Sequence, residues 1–91
     1  MKNEEKRLLD LADRLELPEE ALGGLKLSVT CARRALVENH HGVLEYSGEQ
    51  IVVSAGRGRL ALRGSGLCLE AMNRNELLIT GKIESAEWEG V

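Results

Sequence analysis

The sequence predicts a mainly β domain preceded by one N-terminal helix. The spacing of apolar residues changes from about 3.6 to about 2 residues near Lys26, as expected where a helix gives way to strands. Glycines then separate a series of short alternating runs, which is a pattern of strands and turns. Trp88 and Tyr46 are the only aromatic residues, so Leu, Val, Ile and Ala must build the core. These side chains suit closely packed strands better than a roomy ligand cavity, which aromatic residues usually line.

Length and composition indicate one soluble domain. A chain of 91 residues is long enough for one modest core, and its 43% hydrophobic and 30% charged residues are typical of a globular protein. The net charge of −3 disfavours general nucleic-acid binding, which needs a dominant basic surface. No apolar run approaches the roughly 20 residues of a membrane span, and the N-terminus is too charged for a signal peptide.

Residues 1–24 form the predicted helical segment. Four apolar residues fall on one helical stripe at i, i+3, i+4 and i+7, namely Leu8, Leu11, Ala12 and Leu15. Asn3 is the expected N-cap. Pro18 disfavours helical geometry at Leu17, so the helix should end there.

Residues 25–91 form the predicted β domain, with six to eight short strands and no further long helix. Three glycines recur at spacings of 16 and 17 residues: Gly48, Gly64 and Gly81. Two architectures fit this spacing. The favoured one is an antiparallel meander rolled into a small sandwich or barrel, with each glycine in a hairpin turn or a strand bend. The other is a short β-solenoid with 16–17-residue rungs, for which three rungs are close to the minimum.

The segment "ENHHG", Glu38 to Gly42, holds the residues most suggestive of a metal or catalytic site. On a strand, the adjacent His40 and His41 point to opposite faces, so they cannot easily hold one metal ion. Glu38, Asn39 and His40 likewise do not converge as a nucleophile and its base must. We therefore predict no catalytic, cofactor-binding or metal-binding residues. The Asn39 and His40 side chains are expected to fix a turn into Gly42.

The glycines of "GRGRLALRGSG" resemble a phosphate-binding loop only superficially. Such a loop follows a strand and opens a helix, whose N-terminal amides hold the phosphate. Here the glycines flank a run that alternates like a strand, and no helical pattern follows Gly66. These glycines are predicted to form turns.

An arginine stripe is the strongest candidate for a binding surface. Its three members share odd parity and would project from one face of a single strand: Arg57, Arg59 and Arg63. Most such stripes are solvated faces or protect a strand edge. The other interpretation is an anionic partner, such as an acidic protein surface or lipid headgroups. Three acidic residues near the C-terminus offer a complement for head-to-tail self-association: Glu84, Glu87 and Glu89.

The two cysteines, Cys31 and Cys68, lie 37 positions apart without a secretory context. A disulfide between them is possible, but two reduced and buried thiols in a cytosolic protein are the favoured interpretation.

A series of short motifs carries a resemblance to a known family. They occur in this order: "LELPEE" (residues 15–20), "ENHHG" (38–42), "VLEY", "GEQIVV", "GRLALRG" and "ELLITGKI" (76–83), followed by an aromatic residue at Trp88. Each motif is short and made of common residues, so the specificity comes from the series. In this order and spacing the chain resembles the YabP/YqfC sporulation proteins, and its length is nearer the YqfC branch.

The resemblance implies a small soluble protein of the mother cell that is needed for endospore formation. It implies contacts with other sporulation proteins, including a membrane-bound partner of the YqfD type, and it brings no catalytic residues and no cofactor. We therefore expect a non-catalytic interaction or assembly module that forms homo-oligomers, is cytoplasmic, and lies near a membrane only through its partner. The alternative is a regulator that binds an anion or small ligand through the arginine stripe.

Overall fold

The computed structural model describes residues 6–7, 14–17 and 24–90, with side chains for residues 24–90. These residues form eight strands of one antiparallel sheet. The strands are β1 (Lys6–Arg7), β2 (Arg14–Leu17), β3 (Lys26–Thr30), β4 (Arg34–Glu38), β5 (Val43–Tyr46), β6 (Gln50–Ser54), β7 (Gly58–Met72) and β8 (Glu76–Gly90).

The strand order is β2-β3-β4-β8-β7-β6-β5, and β1 pairs with β8 beside this path. Two meanders, β2 to β4 and β5 to β8, join where β4 pairs with β8. Every pairing is antiparallel, which confirms the meander and argues against a solenoid of parallel rungs. Among the described strands, β2 and β5 end the sheet and do not pair with each other, so the sheet is open and the predicted closure into a barrel is not found there.

The predicted N-terminal helix is not confirmed. The described parts of that segment, Lys6–Arg7 and Arg14–Leu17, pair as strands with β8 and β3. Residues 1–5, 8–13 and 18–23 of the segment lie outside the described residues, and with them the predicted N-cap Asn3, the stripe positions Leu8, Leu11 and Ala12, and Pro18. Leu15 is a member of the predicted helical stripe, but Leu15 and Leu17 are two residues apart and so repeat with the period of a strand.

The inner face of the sheet carries the core. Its fully buried members come from both meanders and include Leu27, Val37, Ile51, Leu60 and Ile79. Inward residues alternate with outward ones, for example Leu60 and Leu62 around Ala61, as the period of the sequence predicts. Strands β3 and β6 are not neighbours in the sheet, yet their side chains belong to one buried cluster, so the sheet folds over on itself.

A bend in the two longest strands allows this folding. Strands β7 and β8 each have 15 residues, and their register shifts between Arg63 and Gly64 and again before Cys68. A Cβ atom on Gly64 would overlap the Lys82 carbonyl oxygen, so only glycine permits the close approach of the two backbones. Gly81, with a φ of 124°, faces the Gly66 carbonyl in the same way.

Two hairpin turns dock on the bend from opposite sides. On one side, the β5–β6 turn accepts the Leu67 N–H at the Gly48 carbonyl, at 2.8 Å. On the other side, the β3–β4 turn accepts the Ile83 N–H at the Ala32 carbonyl, also at 2.8 Å. We call this region the corner: residues 63–68 of β7, residues 80–83 of β8 and the two turns. The positions of Gly48, Gly64 and Gly81 confirm the prediction that the repeating glycines lie in turns and strand bends.

Candidate interaction surface

The outward face of β5, β6, β7 and β8 carries a ladder of polar side chains that crosses all four strands. The Gln50 amide donates to Glu45 Oε1 at 2.6 Å, and Arg63 Nε donates to Gln50 Oε1 at 2.7 Å. The other end of the Arg63 guanidinium forms an ion pair and hydrogen bond with Glu87. Since the partners lie opposite or diagonal to each other in the sheet, strand register alone brings them together.

A second cross-strand pair lies beside the ladder. Arg59 and Glu89 are register partners on β7 and β8, and Arg59 Nε lies 3.4 Å from Glu89 Oε1. Both side chains are more than half exposed, so water screens this pair strongly. The shared outward face predicted for Arg59 and Arg63 is therefore present, but each guanidinium already has a carboxylate partner in its own chain.

Arg57 of the predicted arginine stripe and Glu84 of its predicted acidic complement do not lie in these cross-strand pairs. Arg57 belongs to the turn before β7, where Ala55 N–H donates to the Gly58 carbonyl at 2.9 Å, so it is not on the strand with Arg59. Glu84 is exposed and falls at the register shift between Ile83 and Ser85, so it is displaced from the row of Glu87 and Glu89. Parity along the sequence could not reveal the displacement of Arg57, because it assumes an uninterrupted strand.

The ladder and the second pair enclose a shallow groove with a volume of about 450 Å³. Its lining includes Arg59, Ala61, Arg63, Glu87, Trp88 and Glu89. The small side chain of Ala61 leaves the space, and paired charges of both signs surround it. An anion entering the groove must compete with two carboxylates that already occupy the guanidinium groups.

"ENHHG" links the two meanders, and His40 is its buried centre. The Gly42 N–H donates to His40 Nδ1 at 2.9 Å, so the proton of this neutral ring lies on Nε2, which donates to the Asn73 carbonyl at 2.9 Å. Asn39 adopts a left-handed conformation with a φ of 65°, and its N–H donates to the Asn75 carbonyl at 2.7 Å. His40 thus fixes the turn into Gly42, as predicted, and also joins the β4–β5 loop to the β7–β8 turn.

The other candidate ligands are dispersed. His41 is exposed, and its ring contacts the position of Gly56 rather than that of His40. Among residues 24–90 and the described strand positions before them, no three His, Cys, Asp or Glu side chains could hold a metal ion together. Cys31 and Cys68 are both free thiols, but both are exposed, so the expected burial of the cysteines is wrong. Cys31 lies in the three-residue turn between β3 and β4, and Cys68 lies on the outward face of β7, so neither side chain enters the core.

A further feature, not singled out from the sequence, lies between β5 and the second half of β7. We call it the seam, with residues 43–46 on one side and residues 67–72 on the other. Tyr46 bridges it, because its hydroxyl oxygen accepts the Leu69 N–H at 3.1 Å. The ends of the seam are tied by Leu67 to Gly48 at the corner and by His40 to Asn73 at the far end. The large apolar side chains that are most exposed among the described residues all belong to it: Leu44, Tyr46 and Met72.

Comparison with known proteins decides the family. The YabP family model matches residues 23–91, which is most of the chain and includes β3 to β8. The chain belongs to the YabP family. No curated protein and no solved structure matches it. The match confirms the resemblance at the level of the family, while its nearness to the YqfC branch stays a prediction.

The residues matched by the YabP family model include all the structural features described above except β1 and β2. The corner, the polar ladder, the His40 contacts and the seam all lie within residues 23–91, whereas β1 and β2 precede the matched range. The family is associated with sporulation, so these features belong to a sporulation-associated domain. In the part of the chain that the structure describes, none of the elements is a helix that is long and apolar enough to cross a membrane.

Proposed function

We propose that this YabP-family chain acts in the mother cell during endospore formation as a non-catalytic interaction or assembly module. The association of the family with sporulation supports the biological setting. The residues that first suggest chemistry, such as His40 and Arg63, are engaged in contacts that hold strands and loops together. Their roles in the fold are consistent with a protein that works by binding another protein.

The observation that carries the proposal is the open sheet. Strand β5 ends the sheet, and β6 covers only residues 59–63 of β7. Among the described residues, β5 and the second half of β7 therefore each have one edge without a strand partner. Backbone N–H and C=O groups on such edges can pair with another chain, and natural proteins usually blunt or cover exposed edges for that reason. An open edge in a small domain is therefore a natural contact surface.

The expected partners are other sporulation proteins, including a membrane-bound one of the YqfD type. Such a partner would hold a cytoplasmic domain at a membrane surface. Homo-oligomers are also part of the proposal. However, head-to-tail contact between the arginine stripe and its acidic complement would require Arg59 and Arg63 to exchange their carboxylate partners between chains. Light scattering after size exclusion over a range of concentrations measures this, and a strict monomer at every concentration would contradict the self-association part.

An affinity pull-down from sporulating cells tests the main proposal. The tagged full chain should recover at least one specific sporulation protein, and a matched culture that is not sporulating provides the control. A variant with Arg59 and Arg63 changed to Glu separates a charge-dependent partner from one that binds elsewhere. Recovery of no specific partner would contradict an interaction module.

The anion-binding alternative has weaker support. Arg57 is exposed and adjacent in sequence to the groove residues, but the two arginines that line the groove are already paired. Thermal-shift measurements with inorganic phosphate test it, since a ligand that favours the native state must raise Tm. An increase in Tm that Arg57→Ala abolishes would support the alternative, and no increase would remove it.

A further inference from the structure

We propose that the seam binds an extended segment of another protein, with apolar side chains at alternate positions and basic residues near its ends. The proposal rests on the function proposed above and assigns it a surface and a partner chemistry. The segment would lie along β5 and the second half of β7 and add backbone hydrogen bonds to their open edges, in the manner of a strand added to a sheet.

Backbone groups on both sides of the seam are directed into it. Leu67 and Leu69 of β7 donate their N–H groups across the seam, to the Gly48 carbonyl and the Tyr46 hydroxyl. On β5, Ser47 directs its N–H to Gln50 in β6. Because backbone groups alternate in direction along an antiparallel strand, those of Tyr46 turn toward the seam. No backbone hydrogen bond joins residues 43–46 to residues 70–72 within the described part of the chain.

The seam is held by side chains at the places where a strand ladder would otherwise continue. Tyr46 supplies its hydroxyl in the middle, and His40 supplies its imidazole at the far end. The Tyr46 bridge thus lies where β5 and β7 are not paired through their backbones.

Apolar side chains make the seam suitable for a peptide. Leu44 is 55% exposed, Tyr46 54% and Met72 56%. Tyr46 and Met72 share a face with their buried register partners Ile51 and Leu77, so they form an apolar strip beside the core. Tyr and Met are enriched in the cores of protein interfaces, and the flexible Met side chain adapts to varied partners. An incoming strand would place every second side chain on this strip.

The charge at the seam favours a different protein over a second copy of this chain. Glu45 and Glu49 lie on the β5 side and Glu70 on the β7 side, all exposed. The described hydrogen-bond partners of Glu45 and Glu70 are the neutral side chains of Gln50 and Thr80. Two copies meeting at their seams would bring like charges together, whereas lysine or arginine near the ends of a peptide would complement them.

Selection from a phage-displayed library of random short peptides, with the immobilised full chain as the target, tests the proposal. Enriched peptides should show apolar residues at alternate positions and Lys or Arg near their ends. One enriched peptide is then synthesised with a fluorophore, and its binding is measured by anisotropy. Backbone N-methylation of the peptide, one position at a time, should abolish binding at every second position and be tolerated at the positions between. The reason is that only every second N–H of an added strand faces the strand it pairs with.

Variants of the chain locate the site. Leu44→Lys and Met72→Lys should each weaken binding of the synthetic peptide by about tenfold or more, as for a central contact residue. Thr30→Lys introduces the same charge at an exposed position at the end of β3 and should leave binding unchanged. Tyr46→Phe keeps the ring but frees the Leu69 N–H from its internal partner, so it should tighten binding by about two- to tenfold.

Each remaining outcome decides against the proposal. Failure to enrich peptides, enrichment without alternation, or equal binding to the Leu44→Lys variant would overturn it. Dimers that form in wild type and are lost in Leu44→Lys would assign the seam to a second copy instead. If sporulating cells yield a partner that binds the Leu44→Lys variant as tightly as wild type, the proposed interaction role is supported, but the seam is not the surface that binds the partner.

Discussion

The corner and the seam are the two places where this open sheet approaches itself, and they are held in different ways. At the corner, backbone groups of two turns bond directly to β7 and β8, and glycines let the chains come close. At the seam, two side chains, Tyr46 and His40, connect strands whose backbones do not pair. The contrast teaches that the corner determines the shape of the domain, whereas the seam is a contact that can be exchanged for another.

The largest expected effect comes from breaking the corner with Gly64→Ala. The added Cβ would overlap the Lys82 carbonyl oxygen, which belongs to the backbone of the paired strand and cannot move aside alone. We expect a loss of about 3 kcal/mol or more in the free energy of unfolding, measured by chemical denaturation. Gly48→Ala is the matched control, because a Cβ there meets nothing within 4 Å. Equal stability of Gly64→Ala and wild type would show that the corner does not depend on this close approach.

Removing the His40 contact at the far end of the seam should lower the free energy of unfolding by less than Gly64→Ala does. His40→Ala leaves the Gly42 N–H and the Asn73 carbonyl without their partner and opens space at a buried position. The expected loss in unfolding free energy is about 1–3 kcal/mol. Native-state hydrogen exchange should show faster exchange at Gly42 than at the corner amide of Leu67. His41→Ala, at the exposed neighbour, serves as control and should lie close to wild type.

Removing the Tyr46 hydrogen bond in the middle of the seam should lower the free energy of unfolding by less again. Tyr46→Phe deletes only the hydroxyl that accepts the Leu69 N–H, at a half-exposed site. The expected loss is about 0.5–1.5 kcal/mol, the usual net contribution of one hydrogen bond. Exchange of the Leu69 amide should accelerate while that of Leu67 stays protected. Acceleration of both amides to the same degree would mean that the corner and the seam open together, which would remove the distinction between them.

The polar ladder should give the smallest effect and the clearest salt dependence. Arg63→Glu places a carboxylate beside Glu87 and should lower stability by about 0.2–1 kcal/mol, less at high ionic strength. The exchanged pair Arg63→Glu with Glu87→Arg should recover the loss, because opposite charges face each other again. If the exchanged pair is as unstable as the single variant, Gln50 rather than the ion pair governs this position.

Much of the fold could be predicted from local pattern. Alternation placed Leu60 and Leu62 on the inner face, and the recurring glycines marked the positions of turns and bends. The N-terminal segment was predicted as a helix from the spacing of Leu8, Leu11, Ala12 and Leu15. Its described residues Arg14–Leu17 pair with β3, and the spacing of Leu15 and Leu17 fits a strand. The burial predicted for Cys31 is wrong because this residue follows the end of β3, in a turn where Cys31 and Ala32 have positive φ.

The candidate surface was only partly predictable because it depends on strand order. Parity correctly placed Arg59 and Arg63 on one face, but their pairing with Glu89 and Glu87 requires that β7 lie beside β8 in a particular register. The exposure of Leu44 and Tyr46 follows from β5 being the last strand of the sheet, which no local pattern reveals. The only tyrosine of the sequence, in the short strand β5, was the available signal, since its hydroxyl needs a polar partner.

The order of strands also has a consequence for how the domain folds. Strands β5 to β8 are consecutive in both sequence and space, so each pairing closes a short loop, whereas β4 reaches β8 only after the whole second meander has been made. Short loops close at lower entropic cost. We therefore expect residues 43–90 to acquire protected amides first and β3 and β4 to join later. Pulse-labelled hydrogen exchange during refolding measures this, and simultaneous protection of Val37 and Leu62 would show that the two meanders form as one unit.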